Sequence, residues 1–183
     1  WDTEDLKIMD EEGTTDGFVR CFLESDSAKD TDTHFRNSDG KCSWNYRLLF
    51  PVTYPVKNKT YKLTIQAYDL DLFKSNDLCG ETTIDLTAMF EDASLAKRGM
   101  SLTKEYYDEY LKPKKFMKDL TFVDNEPRQF WVDLKTKEKG QVVSGGRLKL
   151  GIDIIPRHDA ELNPVGGGQS EPNVNPYLPK PFG

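Results

Sequence analysis

Apolar and polar residues alternate along much of this chain with the period of two that is typical of β-strands. The clearest run covers residues 61–68, where Leu63, Ile65 and Ala67 share one face and polar residues occupy the other. Because few of the alternating runs are separated by helical patterns, the sequence predicts an all-β fold, an eight-stranded antiparallel β-sandwich. The eight predicted strands cover residues 1–5, 18–23, 31–36, 43–50, 61–68, 79–86, 129–134 and 147–155. The strands over 31–36 and 43–50 are expected to form a hairpin, with a turn over residues 37–40 that ends in a glycine.

The strand pattern is interrupted between residues 87 and about 126, where Lys, Glu, Ala and Met become frequent. Residues 103–111 have helical composition, with Thr103 as a capping residue and Pro113 as a stop signal. We therefore expect a helical insertion before the seventh strand. The alternation ends at Pro156, and residues 157–183 contain five prolines and four glycines. We expect a folded domain over residues 1–156, with a truncated first strand, followed by a linker without a core.

Composition narrows the classes of function. The net charge of −6 argues against a nucleic-acid-binding protein, which is normally basic. No apolar run approaches the length of a membrane span, and no signal-peptide pattern is present. The three cysteines are odd in number and widely scattered, which does not indicate a disulfide framework and favours a reducing, cytosolic setting.

Five aspartates in two loops are the strongest functional signal. Asp69, Asp71 and Asp77 follow the clearest strand at spacings of two and six residues, and Asp10 and Asp16 stand six apart in an earlier Gly/Thr loop. Carboxylates two apart on an extended segment point to the same side, and their mutual repulsion is relieved by a cation. Calcium suits such a site because it takes six to eight oxygen ligands in flexible geometry. The alternative is a solvated acidic rim.

Apolar side chains accompany both acidic loops. Leu72 and Phe73 stand at the tip of the later loop with Lys74 beside them, and Met9 takes the corresponding place in the first. These four residues are candidate membrane contacts, and local packing that anchors the loops is the alternative. The basic run over residues 112–118 is expected to be solvated surface, with contact to anionic lipid as the alternative.

The number of these aspartates, their spacing and their placement after strands resemble the five-aspartate calcium site of C2 domains. In that family the first loop supplies two acids and the third loop supplies three. The resemblance implies a C2-type eight-stranded β-sandwich that binds Ca²⁺ and, through it, an anionic phospholipid membrane. Gly17 is a departure, since many C2 domains have proline after the second acid of the first loop.

A narrower resemblance, to the last, membrane-proximal C2 domain of ferlins, covers nearly the whole chain. It is carried by residues 31–36 (Thr-Asp-Thr-His-Phe-Arg), 44–51 (Trp-Asn-Tyr-Arg-Leu-Leu-Phe-Pro) and 171–176 (Glu-Pro-Asn-Val-Asn-Pro). Ferlins are large tail-anchored proteins with a series of C2 domains. The resemblance implies a position on the cytosolic face of a vesicle or plasma membrane, with the linker running towards a transmembrane anchor. It also implies a role in membrane fusion, vesicle exocytosis or membrane repair, with neighbouring domains or fusion machinery proteins as further partners.

Two other functions remain open at this stage. One is a calcium-independent protein-interaction or scaffolding module, and the other is the targeting domain of a lipid-acting enzyme. Catalysis by this chain itself has little support, because the sequence carries no nucleophile elbow, no HExxH motif and no phosphate-binding loop. Five acids in two loops also exceed the pair that acid–base chemistry needs. We therefore expect a binding protein and no catalytic residues.

Overall fold

A computed structural model of the chain describes residues 1–23, 28–57, 60–114 and 120–162. Within these ranges the chain forms eleven strand segments, most of them in one sheet. They are β1 (Thr3–Glu4), β2 (Thr15–Leu23), β3 (Lys29–Asp30), β4 (His34–Asn37), β5 (Lys62–Asp69), β6 (Asp77–Asp85), β7 (Met100–Ser101), β8 (Thr121–Val123), β9 (Glu126–Glu138), β10 (Gln141–Leu150) and β11 (Asp153–Ile154).

Helical structure in the described chain is confined to two regions, residues 87–114 and residues 157–162. The helices are α1 (Thr87–Ala96), α2 (Lys104–Tyr106) and α3 (Arg157–Leu162), and α2 continues into a π-helical turn (Tyr107–Leu111) and a 3-10 turn (Lys112–Lys114).

The main sheet is antiparallel throughout, as the alternation predicts. Its strand order is β1-β10-β9-β6-β5-β2-β3, while β4 pairs with β2 and β8 pairs with β9. Strands β7 and β11 form a separate antiparallel pair. In place of the eight expected strands, the described residues form eleven segments, which range from the two-residue β1 to the thirteen-residue β9. Register shifts interrupt some of the ladders, for example between Ala67 and Tyr68.

The core lies on the predicted face of β5. Leu63, Ile65 and Ala67 are buried there, and they belong to the same apolar cluster as Phe130 and Leu134 of β9. Burial of such side chains is the main favourable term in folding a chain of this composition. The alternation therefore identified the core face of this strand correctly.

The hairpin predicted between residues 31–36 and 43–50 is wrong. Strand β4 pairs instead with β2, with His34 opposite Gly17, and after the bridge between Asp2 and Ser43 no ladder follows in residues 44–57. Asn45 takes a positive φ of 47°, which breaks the extended conformation a ladder needs. The side chains nevertheless keep their alternation, since Trp44 is buried and Leu48 packs on the core.

The insertion over residues 87–126 is partly helical, as expected, and it packs on the sandwich. The Thr103 hydroxyl oxygen accepts a hydrogen bond from the amide of Tyr106 at 3.2 Å, which is the predicted cap. Leu102, Tyr107 and Leu111 are buried in the core. The last part of the insertion is strand β8, so it belongs to the sheet rather than to a helical excursion.

The predicted linker begins with the short helix α3, which buries none of its residues. Residues 163–183, including the segment 171–176, lie outside the described residues, as do residues 115–118 of the basic run. No helix in the described ranges combines the length and apolar character needed to cross a membrane. Cys21, Cys42 and Cys79 are free and buried.

Candidate metal centre

The register of the central strands brings both acidic loops to the same end of the sheet. Strand β2 starts just after the first loop and β5 ends at the second, and they run antiparallel with Gly17 opposite Asp69. Strand β6 then leaves the second loop with Asp77 directly opposite Asp69. Three of the five aspartates, Asp16, Asp69 and Asp77, are therefore fixed by neighbouring strands rather than by loop conformation.

Asp69 is buried because it continues the apolar face of β5. Side chains on a strand alternate, so residue 69 points to the same side as residues 63, 65 and 67. The residue is 1% exposed, and its Oδ1 accepts a hydrogen bond of 2.6 Å from the backbone amide of Asp16. The Leu70 amide in turn donates to the Asp16 carbonyl oxygen at 2.9 Å, which ties the two loops together. Among the residues that the structure describes, the buried Oδ2 of Asp69 has no hydrogen-bond partner.

The electrostatics of Asp69 reflect this position. Burial raises the pKa of its carboxyl to about 6, and the negative charges of Asp10, Asp71 and Asp16 act in the same direction. The amide hydrogen bond from Asp16 opposes the shift without cancelling it. Four of the five aspartates are thus close enough to interact through their charges.

The later loop, residues 70–76, is held by its own polar side chains. The Asp71 amide donates to Asn76 Oδ1 at 3.1 Å, while the Oδ2 of Asp71 is buried without a hydrogen bond from the described part of the chain. Lys74 folds back over this loop, so that its Nζ lies 2.8 Å from Asp77 Oδ2 and 3.5 Å from Asp71 Oδ2. The lysine therefore bridges two of the predicted metal ligands.

The first loop makes a tight turn between its two acids. The Asp10 amide donates to the Thr14 carbonyl oxygen at 3.1 Å, and the Gly13 amide donates to the Asp10 carbonyl oxygen at 3.0 Å. Gly13 takes a φ of 79°, a conformation that favours glycine. At the end of the loop, Asp16 Oδ1 accepts a hydrogen bond of 2.6 Å from the Arg36 amide.

The residues fit a hard divalent cation, although their side chains do not form a closed ligand set. Carboxylate oxygens are the donors calcium prefers, and Oδ2 of Asp69 is buried without a hydrogen-bond partner among the described residues. Oδ2 of Asp71 is also buried without a hydrogen bond, and the Lys74 ammonium group lies 3.5 Å from it. Among the described residues, no group of three or more His, Cys, Asp or Glu side chains is arranged to hold a metal ion. Several of these oxygens have other partners: backbone amides donate hydrogen bonds to Oδ1 of Asp16 and of Asp69, and Lys74 donates to Oδ2 of Asp77.

The four candidate membrane contacts divide into two kinds. Leu72 is 83% exposed and Phe73 is fully exposed at the tip of the later loop, with Lys74 next to them. Met9 is partly buried and packs against the core cluster, which is the local packing alternative. A loop that presents two bare apolar side chains to water is the unusual feature here.

Sequence reasoning missed three contributors to this site. The amide of Arg36 and the side chain of Asn76 hold Asp16 and Asp71 in place, and neither residue stands out by type. Lys74 did carry a signal, because it stands three residues after Asp71 and three before Asp77. That symmetric spacing lets one ammonium group reach both carboxylates across a short loop.

Comparison with known proteins identifies the family of this chain. The family model described as "C2 domain" matches residues 2–102. A ferlin 1 from Toxoplasma gondii is 31% identical over 175 residues, which cover 93% of this chain and 10% of that protein. A ferlin 2 from Tetrahymena thermophila is 28% identical over 190 residues, and myoferlin from Homo sapiens is 26% identical over 209 residues. Each of those two alignments covers 99% of this chain and 10% of the relative.

The fold has a counterpart among solved structures. A C2 domain of a plant extended synaptotagmin 1 aligns with a TM-score of 0.50 at 18% identity, over 82% of this chain and 85% of that one. At this identity the likeness concerns the fold, and it confirms the expected C2-type antiparallel architecture. The chain spans about a tenth of the length of the ferlins it matches.

Proposed function

Because this chain belongs to the C2 domain family and is related to ferlins, we propose that it binds calcium through its two acidic loops and then docks on an anionic phospholipid membrane. A C2 domain is a non-catalytic module, so the proposed function is binding and not catalysis. The proposed ligands are Asp10, Asp16, Asp69, Asp71 and Asp77.

The buried Oδ2 of Asp69, which has no partner among the described residues, carries this proposal. A buried polar atom without a partner costs free energy, and a buried carboxylate costs more than a neutral group. Asp69 is almost fully buried, stands on a rigid strand and is surrounded by other acids. A calcium ion supplies the missing partner and the missing positive charge at the same place. A solvated acidic rim would instead leave each carboxylate in water.

Charge explains how ion binding leads to membrane binding. Five carboxylates carry about −5, and two divalent ions reduce that to about −1. The loop end of the sheet then stops repelling anionic headgroups, and Leu72 and Phe73 reach the bilayer interface. Since the strands already hold Asp16, Asp69 and Asp77 together, this switch needs little backbone movement.

The position within a longer protein is also part of the proposal. We place the chain as the last C2 domain of a ferlin-like protein that acts in membrane fusion, exocytosis or membrane repair. The domain comprises residues 1–156, and residues 157–183 act as a linker towards a transmembrane anchor on the cytosolic side. The alignment to ferlins over almost the whole chain supports the relation to ferlins, and the Pro/Gly-rich composition of the tail supports its role as a linker.

The double variant Asp69→Asn/Asp71→Asn tests calcium binding directly. In chelator the variant should melt at least as high as wild type, because two repelling charges are removed. In calcium, wild type should gain about 2.7 kcal/mol at a hundredfold excess of ion over Kd, and the variant should lose most of that gain. Thermal melts of both proteins with calcium and with chelator give all four values.

The control is Asp124→Asn/Asp159→Asn, which removes the same charge from two exposed sites in the β8–β9 turn and in α3. This variant should keep the full gain with calcium. If wild type melts at the same temperature in calcium and in chelator, the aspartates are a solvated rim. The calcium-independent interaction module then becomes the function that fits best.

A further inference from the structure

Lys74 lies between two of the proposed metal ligands. Its Nζ lies 2.8 Å from Asp77 Oδ2 and 3.5 Å from Asp71 Oδ2, so one ammonium group spans the two ends of the loop. Its side chain is still 60% exposed, and four rotatable bonds separate the charge from the backbone. The contact is therefore easily broken and remade.

The carboxylates that Lys74 reaches are not ordinary surface acids. Asp71 is nearly buried, and its Oδ2 makes no hydrogen bond within the described chain although the lysine stands at ion-pair distance. Asp69, the nearby acid at the end of β5, also has a buried oxygen, Oδ2, that makes no hydrogen bond with a described residue. A lysine ammonium is a compact positive charge, which makes it a partial substitute for a metal ion among such oxygens.

We propose that Lys74 is a built-in competitor of the divalent ion, which neutralises Asp71 and Asp77 in the metal-free domain and must leave them when calcium binds. This inference rests on the proposed function. Displacing the ammonium group weakens the apparent affinity for calcium, because its ion pairs are lost as the new ligands form. The side chain that is released stands next to Phe73 at the loop tip, where a positive charge suits an anionic headgroup.

The variant Lys74→Gln removes the competitor and keeps a flexible polar side chain. Titration calorimetry with calcium alone should give an affinity about three- to tenfold higher than wild type, since no ion pair has to be broken. In chelator the variant should melt about 1–3 °C lower, because Asp71 and Asp77 lose their internal counter-charge. The second readout involves no calcium, so it tests the ion pair itself.

Two further variants separate this role from a general effect of charge. Lys74→Arg keeps the positive charge beside Asp71 and Asp77, so its affinity for calcium should stay below that of Lys74→Gln. Lys97→Gln makes the same change in net charge at a distant position. Lys97 follows helix α1, and α1 follows the end of β6 that lies away from the loop. This variant should match wild type in both measurements.

The outcomes distinguish this inference from the proposed function. If wild type binds calcium and Lys74→Gln binds it no more tightly, the competitor role is wrong and the calcium site stands. If only Lys74→Gln binds calcium, the lysine blocks the site and the inference is supported. If neither protein gives a heat of binding, both the proposed function and this inference are overturned.

Discussion

Asp69 combines two opposing effects in one side chain. Its place on the inner face of β5 makes it nearly inaccessible to water, while no described residue gives its Oδ2 a hydrogen bond to offset the lost hydration. Such a residue weakens the metal-free protein and is kept where a ligand repays the cost. At the scale of single residues, stability and binding are therefore opposed in this domain.

The pH dependence of stability should reveal this opposition. The pKa of Asp69 rises from 3.8 to about 6 on folding, so the folded chain favours the neutral carboxyl. The resulting stability is complete below pH 3.8, falls as the pH rises and is lost above about pH 6. The change amounts to about 2–3 kcal/mol. Asp69→Asn removes it, so melts in chelator should show wild type losing stability relative to the variant between pH 4 and 7.

The comparison is made between two proteins so that the other carboxylates cancel. Asp159→Asn, at an exposed position of α3, serves as the matched control and should parallel wild type at every pH. A constant difference between wild type and Asp69→Asn across this range would show that Asp69 titrates normally.

At the scale of elements, the loop over residues 70–76 works as a unit with the ends of β5 and β6. Its acids lie near the strand ends and its apolar residues at the tip, so the residues for the proposed charge neutralisation and for the proposed bilayer insertion are only a few positions apart. The paired strands hold the acids in place. Leu72 and Phe73 at the tip are exposed and are not part of the core.

Replacing Leu72 and Phe73 together with Ser should separate these functions. Both side chains are exposed, so the melting temperature and the calcium affinity in solution should stay close to wild type. Sedimentation with phosphatidylserine vesicles in calcium should fall at least about tenfold, since burying each side chain is worth about 1.5–3 kcal/mol.

Leu95→Ser is the matched control, because Leu95 is 76% exposed in α1, away from the loops. It should bind vesicles as wild type does. If the double variant loses calcium binding and thermal stability together, the two residues belong to the core and the insertion mechanism is wrong.

The elements also show what a sequence pattern can and cannot predict. Alternation located the buried face of β5, because successive side chains along a strand point to opposite faces of the sheet. It failed at residues 43–50, where the side chains alternate but the backbone of Asn45 leaves the sheet. Spacing identified the five aspartates as one candidate site. The hydrogen bond from the Asp16 amide to Asp69 Oδ1 joins residues 53 positions apart, and no local sequence pattern specifies such a contact.

At the scale of the whole molecule, the sheet and the helical insertion share one core. Buried residues of the insertion, such as Leu102 and Tyr107, belong to the same cluster as the central strands. Helix α3 buries none of its residues and follows the last strand pair. The folded unit is thus expected to end near residue 156.

Deleting residues 157–183 should leave the melting temperature within about 2 °C of wild type, because α3 buries none of its residues and the Pro/Gly-rich composition of residues 163–183 provides little apolar surface to bury. The measurement is a thermal melt of both proteins in chelator. Deleting residues 153–183 is the useful contrast, since it removes β11 and its pairing with β7, and it should lower the melting temperature clearly. A large drop for the shorter deletion would place the domain boundary further along the chain.

The exposed tip of the later loop has a consequence for the behaviour of the protein in solution. Molecules of like charge repel one another, and the acids near Phe73 therefore oppose contact between the exposed apolar side chains of Leu72 and Phe73 on different molecules. Calcium that removes this repulsion without offering a bilayer leaves these side chains free to meet one another. Sedimentation velocity should then detect reversible self-association in calcium, absent in chelator and absent from the Leu72→Ser/Phe73→Ser protein. On the proposed function, a membrane surface would compete with this self-association by covering the exposed apolar side chains.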